Sequence, residues 1–590
     1  MRKPLRSAFL VALVAVLTST LVNLQQAQAA DNPPRKILTG WIPYYSMKTA
    51  LPDALNNSDL IKEVMPFWYT LKIDTATKMS VVTDLYTPAN PSVPISEPLT
   101  ALRNAGYQII PTITDGTAKG VLAGLLKAPA TRTQVVNAIM STVRTNNFDG
   151  IDLDFEGFAF TDGNTTWTAT APLWTAFIKE LSLALHAENK LLSVSTPYVL
   201  NPADKQKGYY VYAWAAIASS IDKLRIMTYD YSIASAGPLG PITWAERTIQ
   251  YAISIMPASK VYVGVPGYGR DWVTSVVGVC PANVINTVKA GAKAATFVMR
   301  DAATLAATYG ATPTYNEQYG EVTFSYQKVY NGTTAGGLAT TCTASRTAWY
   351  QDAKSWALRA ALVTKYRIAG ITAWTFGMEE PLAMESIRQV AKEIAPDQVN
   401  ITTSIDKNSI DYGNPIVISA EFKIKDNSPL ANLPVRIEGK SPGDANWRTL
   451  SNVITTAEGK IDKALIVGKT MSIRLHSDPT WERSEGISSE FPITVQRLLV
   501  LSAPGNAKAG ATFQVSGNVR PRTSGVSINF EKLVGKEWKA LDSIGTTDEQ
   551  GNFTVTIPPQ LRGVISLRAS IAADANWSAL VSPTFNIIIR

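Results

Sequence analysis

Histidine is almost missing from this chain of 590 residues, which has only His186 and His476, and cysteine is as scarce, with Cys280 and Cys342. The two histidines lie about 290 positions apart and neither is a plausible catalytic base, so a serine-hydrolase triad is disfavoured. Two cysteines without histidine neighbours make a poor metal site, and no metal is expected. No Gly-x-Gly-x-x-Gly or phosphate loop follows a strand pattern, and no cofactor is expected. Charged residues are 17% of the chain, with a net charge of +8. The lysines and arginines are scattered without a run or stripe, which disfavours a nucleic-acid partner. A positive balance would suit an acidic wall or anionic glycan; solubility is the plainer reading. After the first 30 residues no apolar run is long enough to cross a bilayer.

That first stretch differs from the rest. Arg2, Lys3 and Arg6 precede the apolar run Phe9–Val22, and Ala27-Gln-Ala29 offers small residues for cleavage. Met1–Ala30 therefore reads as a secretory signal. An uncleaved anchor is the alternative, but the run is short and broken by Thr18, Ser19 and Thr20. The mature protein is expected to be secreted, extracellular or wall-associated, and monomeric. In an oxidising compartment a Cys280–Cys342 disulfide is the default.

What the chain does have is carboxylates in an unusual place. Asp149, Asp152, Asp154 and Glu156 fall within Phe148-Asp-Gly-Ile-Asp-Leu-Asp-Phe-Glu-Gly157. Ile151, Leu153 and Phe155 take one parity, and Asp152, Asp154 and Glu156 the other. Alternate side chains of a strand point to opposite faces, so three carboxylates would share one face of an otherwise apolar strand. Buried strands are normally apolar on both faces, and unpaired buried charge is costly. Stacked like charges push pKa values apart, which prepares one carboxyl as a proton donor near neutral pH. Asp149 has the wrong parity and is expected only to cap the start of the strand. A solvated acidic edge strand or a cation site is the bland alternative.

The length implies three to four domains. Between residues 36 and 396, β-branched runs alternate with helical patterns such as Thr131–Thr145 and Leu173–Asn189. The candidate strands are Lys36–Ile42, Val64–Leu71, Tyr107–Ile113, Gly150–Phe155, Leu191–Thr196, Lys223–Tyr229, Lys260–Val265 and Ile368–Trp374. Eight strands alternating with helices predict an α/β fold, a closed (β/α)₈ TIM barrel over residues 31–397. An open doubly wound sheet is the runner-up. Residues of about 272–350, which hold both cysteines and the strand-like Tyr319–Val329, read as an α+β insertion before strand eight. Active sites of such barrels lie at the C-terminal strand ends, where Glu156, Asp230 and Trp374 fall.

After Pro396 the chain turns Thr-, Ser- and Val-rich, and it repeats. Trp447-Arg-Thr-Leu is echoed by Trp538-Lys-Ala-Leu, and Asp478-Pro-Thr-Trp481 by Asp574-Ala-Asn-Trp577, about 91–96 residues apart. Two all-β Ig-like sandwich domains are expected, at 398–495 and 496–590. Their tryptophans are expected to plug the cores, with a glycan-stacking platform as the alternative.

These residues resemble the family 18 glycoside hydrolases, the chitinase-type group. Asp149-Gly-Ile-Asp152-Leu-Asp154-Phe-Glu156 matches the Asp-x-x-Asp-x-Asp-x-Glu signature, Met227-Thr-Tyr229-Asp230 the Met-x-Tyr-Asp mark on strand six, and Ala373-Trp374-Thr-Phe the tryptophan of strand eight. The third strand departs from the pattern. It ends Ile110-Pro-Thr-Ile-Thr-Asp-Gly116, without the Ser-x-Gly-Gly of chitinases. Met227–Trp244, with its 235–241 loop, is closer to the spore-cortex, peptidoglycan-acting branch.

The resemblance implies hydrolysis of β-1,4 bonds at N-acetylglucosamine in chitin or peptidoglycan, with retention, the substrate's acetamido oxygen serving as nucleophile through an oxazolinium. It assigns Glu156 as acid and then base, and Asp154 to orient the acetamido group. Asp152 would hold Asp154 and share its proton, and Tyr229 would hydrogen-bond the acetamido oxygen. Asp230 and Met227 would bind the sugar, and Trp374 would form its floor. An inactive, lectin-like wall protein is the competing reading, although such relatives lose the terminal glutamate.

Overall fold

The computed structural model describes residues 32–590; the expected signal, Met1–Ala30, lies outside them. Two units are separated near residue 396, one of Pro33–Ala395 and one that holds Pro396–Arg590.

In the first unit eight strands make up the barrel wall: β1 Leu38–Pro43, β2 Ile61–Ile73, β3 Thr112–Asp115, β4 Gly150–Asp154, β5 Leu191–Pro197, β6 Lys223–Met227, β7 Val261–Pro266 and β8 Gly370–Trp374. Each pairs in parallel with the next, and β8 returns to β1 to close the barrel. The predicted TIM barrel is therefore the observed one. The predicted third strand is broken: Gln108–Ile109 and Thr112–Asp115 flank Ile110-Pro111, because proline has no N–H for the ladder. Helices Pro129–Asn146 and Trp167–His186 flank β4 in sequence. The outward parity of β4 supplies the apolar face: Phe155 meets Trp174 and Phe177 at ring-centroid distances of 6.2 and 6.1 Å. His186 is on the exposed side of its helix, 2.9 Å from Asp222.

Between β7 and β8 comes a five-stranded antiparallel sheet in the order Ala295–Val298, Tyr268–Gly278, Ala339–Tyr350, Glu321–Thr333, Thr314–Asn316, with helix Ala302–Thr308. It is the expected α+β insertion, and its first strand opens at Tyr268, a few residues earlier than 272. Cys280 and Cys342 are disulfide-bonded, with Cα atoms 4.7 Å apart, inside a small core with Val273, Val288 and Ala344.

Residues 400–589 form two similar pairs of sheets, each with one three-stranded and one six-stranded sheet. Alternating residues fill them: Ile416, Ile418 and Phe422 in the first, Val515, Ile528 and Phe530 in the second. Trp447 and Trp538 do not plug these cores. Trp447 lies under Arg474, 4.3 Å from its ring centroid, and Trp538 under Arg568 at 4.4 Å. Each arginine also ion-pairs a carboxylate, Glu438 at 2.9 Å and Glu531 at 2.6 Å. Indole with a guanidinium on its face is satisfied at a half-buried sheet position, and the repeat preserves this triad. Trp577 instead packs against the core of the first sandwich.

Candidate active site

The polar parity of β4 faces the barrel interior, and register decides what each carboxylate meets. Asp152 is level with Thr112 of β3 and Ser193 of β5. It is fully buried and accepts hydrogen bonds from Thr112 Oγ1 (2.8 Å), Ser193 Oγ (2.6 Å) and Ser195 Oγ (2.9 Å). Arg225 of β6, also fully buried, lies 3.7 Å from it and ion-pairs Glu63 of β2. Lys223 reaches Glu63 at 2.5 Å. Burial alone would raise the Glu63 carboxyl; Arg225 and Lys223 outweigh it and hold the group low. A charge-balanced polar plug thus fills the barrel beneath the cleft, which is what buried ions require.

One layer up, Asp154 is 6% exposed and hydrogen-bonds Glu156. Its Oδ1 has no partner. Burial, then the charges of Glu156 and Asp152, push its carboxyl well above the usual range. Glu156 opens a short helical turn, Glu156–Phe158, at the end of β4. Burial, then the charge of Asp230, push it up to about 7. Two carboxyls in contact in a poorly hydrated site share a proton over the neutral range. The backbone between them is fixed by Tyr212, whose hydroxyl donates to the Phe155 carbonyl at 2.8 Å, while Trp174 Nε1 donates to the Tyr212 carbonyl at 3.0 Å.

Above this pair lies a cleft of about 670 Å³ lined by Trp41, Met227, Tyr229, Asp230, Arg270 and Trp374 among others. Trp374 meets Trp41 and Phe67 edge-on at 5.5 and 5.0 Å, leaving an aromatic floor. The Tyr229 hydroxyl is driven well above its usual range, by burial first and then by Tyr268 and the carboxylates, so it is a neutral donor. Asp230, at φ +61°, is held by Arg270 at 2.7 and 2.6 Å and by the Tyr268 hydroxyl at 2.7 Å. A second cavity of about 240 Å³ adjoins on the β3 side and shares Asp154, Glu156 and Phe160 with the first. Its other wall is polar, with Asp115, Thr117, Lys119 and Asp162. Gly157 permits the approach of Asp115, since a Cβ there would stand 2.6 Å from Oδ2.

The structure thus gathers Asp154, Glu156, Met227, Tyr229, Asp230 and Trp374 around one cleft, with Asp152 supporting it from below. Asp149 is elsewhere, accepting from the Ile109 N–H at 2.8 Å. Cys280 and Cys342 belong to the insertion core. Sequence reasoning missed Glu63, Arg225, Tyr268 and Arg270. The signal for the last two was Gly267-Tyr-Gly-Arg270 directly after β7, at the face where such barrels place function. Among the described residues no cluster of three or more His, Cys, Asp or Glu could hold a metal ion.

A sequence profile of glycosyl hydrolases family 18 matches residues 72–379. YdhD of Bacillus subtilis, named as a sporulation-specific glycosylase, is 27% identical over 269 residues, 45% of this chain and 56% of that one. The cortical fragment-lytic enzyme of B. subtilis is 24% identical over 300 residues, 49% of this chain and 62% of the relative. The chain therefore spans less than two thirds of the length of these curated relatives. A chitinase structure from Chromobacterium violaceum aligns with a TM-score of 0.47 at 23% identity, covering 60% of this chain and 98% of that one. With more than half of its residues matched by the profile, and an eight-stranded barrel bearing the acidic strand, the protein belongs to glycosyl hydrolases family 18.

Proposed function

We propose that the protein cleaves β-1,4 bonds at N-acetylglucosamine by a retaining, substrate-assisted route, with Glu156 as the acid. The observation that carries this reading is the Asp154–Glu156 contact at the mouth of an aromatic-floored cleft. Glu156, raised to about 7, holds a proton for the leaving oxygen at neutral pH and can afterwards take one from water. Asp154 is committed to Glu156, and both Asp230 oxygens to Arg270 and Tyr268. The acetamido oxygen as nucleophile is what the resemblance to family 18 implies, in place of a protein carboxylate. In this reading Asp154 turns its unpartnered Oδ1 to the acetamido group and Tyr229 donates to its oxygen. Trp374 stacks beneath the ring, Met227 and Asp230 flank it, and Asp152 fixes the base of the strand.

For the substrate we infer wall peptidoglycan before chitin. Support comes from the polar wall after β3, where chitinases carry Ser-x-Gly-Gly, and from the names of two relatives, a sporulation-specific glycosylase and a cortical fragment-lytic enzyme. The disulfide supports action outside the reducing cytoplasm.

Product release by the full chain from N-acetylglucosamine oligomers and from peptidoglycan, beside Glu156→Gln, tests both points. Cleavage of peptidoglycan and its loss in the variant is the expected result. Cleavage of the oligomers alone would overturn the substrate, and a variant keeping more than about a tenth of the rate would overturn the acid, whose loss should cost ~10²–10⁴-fold. Binding without cleavage by the wild type would make it a lectin-like protein.

A further inference from the structure

The loop after β8, residues 375–380, holds a pair of carboxyls that the chemistry at Glu156 does not use. Glu379 is 8% exposed, and its Oε2 has no hydrogen-bond partner. It hydrogen-bonds Asp53 on helix Met47–Asn56. Asp53 also accepts from the Gly377 N–H at 3.3 Å and from Asn57 Nδ2 at 3.1 Å. Gly377 takes φ +76°, and a Cβ there would stand 2.7 Å from the Thr49 carbonyl carbon. Helix and loop are thus in backbone contact, and only glycine fits the turn.

This loop forms part of one wall of the cleft, because its Met378 lines it beside Trp374, the last residue of β8. On its other side the Arg300 N–H donates to the Met378 carbonyl at 3.1 Å. Arg388, which ion-pairs Asp59 at 2.6 Å, donates to Asn57 Oδ1 at 2.9 Å and is thereby linked to Asp53 through Asn57. The Arg300 guanidinium acts on Asp53, and the adjacent Glu380 accepts from the Ala353 N–H at 2.6 Å. Two carboxyls in contact cannot both ionise cheaply in a buried place, so the pair is bonded only while it keeps a proton.

We propose that the Asp53–Glu379 pair is a proton-dependent latch on the loop after β8, with Glu379 acting as a positioning residue for Trp374 and Met378. This rests on reading the cleft as a glycan site. With one proton shared, the loop is tied to the helix and the aromatic floor is set. Loss of that proton leaves two facing carboxylates in a buried place. They part toward water and take the loop along. Burial and then the charge of Asp53 push Glu379 up to about 8, which places the release on the alkaline side of neutrality.

The test uses the full chain carrying Glu156→Gln, in which the acid neither hydrolyses nor titrates, with and without Glu379→Gln. Affinity for an N-acetylglucosamine tetramer is measured calorimetrically from pH 6 to 9.5. We expect the single variant to lose about tenfold in affinity between pH 7 and pH 9, the change of one pKa unit, and the double variant to hold nearly constant. Equal pH slopes in the two would overturn the latch while leaving the glycan site standing. Absence of binding in both at every pH would overturn the glycan reading as well. Asp53→Asn provides a second variant with the same expected flattening. Without ligand, tryptophan fluorescence should change near pH 8 in the Glu156→Gln protein and not in the one that also carries Glu379→Gln.

Discussion

Arg270 grips Asp230 with two near-parallel hydrogen bonds, Nε to Oδ1 at 2.7 Å and Nη2 to Oδ2 at 2.6 Å. The aspartate follows β6 and the arginine comes from the first strand of the insertion, so the ion pair joins barrel to insertion at the lip of the cleft. Its charge also reaches the acid, since Asp230 is the second cause, after burial, that raises Glu156.

Asp230→Asn should therefore let Glu156 ionise more readily, and the alkaline limb of kcat/KM should move to lower pH. Arg270→Gln leaves the Asp230 charge unbalanced and should move the same limb upward. A pH–rate series on the three proteins decides the matter, and coincident limbs would show that this field does not reach Glu156.

In the wild type, kcat/KM should decline above about pH 7 as Glu156 loses its proton. Stability carries the opposite side of the same shift. The folded group holds its proton more tightly than the unfolded one, whose value is 4.5, so its contribution is complete below about 4.5 and is lost as pH rises through 7. Glu156→Gln should accordingly raise Tm relative to wild type at pH 8 and change it little at pH 4, as calorimetric scans would show.

Asp152→Ala should be a folding mutation before it is a catalytic one. It leaves Thr112, Ser193 and Ser195 without their acceptor and Arg225 with one fewer counter-charge inside the barrel. Removing one partner of a buried charge network typically costs ~3–5 kcal/mol. Denaturant unfolding should read this loss, whereas Asp154→Asn should leave the midpoint nearly unchanged and lower kcat.

Cys342→Ser should weaken the insertion selectively. The bond closes a separation of 62 residues, for which chain entropy sets a ceiling of about 4 kcal/mol. Limited proteolysis should then cut within residues 279–341 while the barrel strands persist; unchanged cleavage would mean that the small core around Ala344 suffices.

The order of these elements was legible because each depends on local pattern. Alternation in β4 separates Phe155 from Asp154, and eight such runs with helical spacers admit few closures other than a barrel. The acidic strand announced itself because three carboxylates on one face of a buried strand conflict with burial unless chemistry or a counter-charge is present. Tryptophans 447 and 538 were misread for the same reason: large aromatics favour cores, and nothing local says that an arginine 27 to 30 positions on will cover the ring.

By itself, then, the sequence determined the barrel, the insertion, the repeat and the residues at the strand ends, since periodicity and strand polarity are properties of consecutive residues. The tertiary structure alone decided which groups meet. Register set Asp152 among Thr112, Ser193 and Ser195, barrel closure brought Arg225 to Glu63, and the insertion carried Arg270 to Asp230. It also turned Asp154 to Glu156 and Glu379 to Asp53. The protonation of each of those carboxyls depends on burial and on neighbours distant in the chain, and no local pattern encodes either.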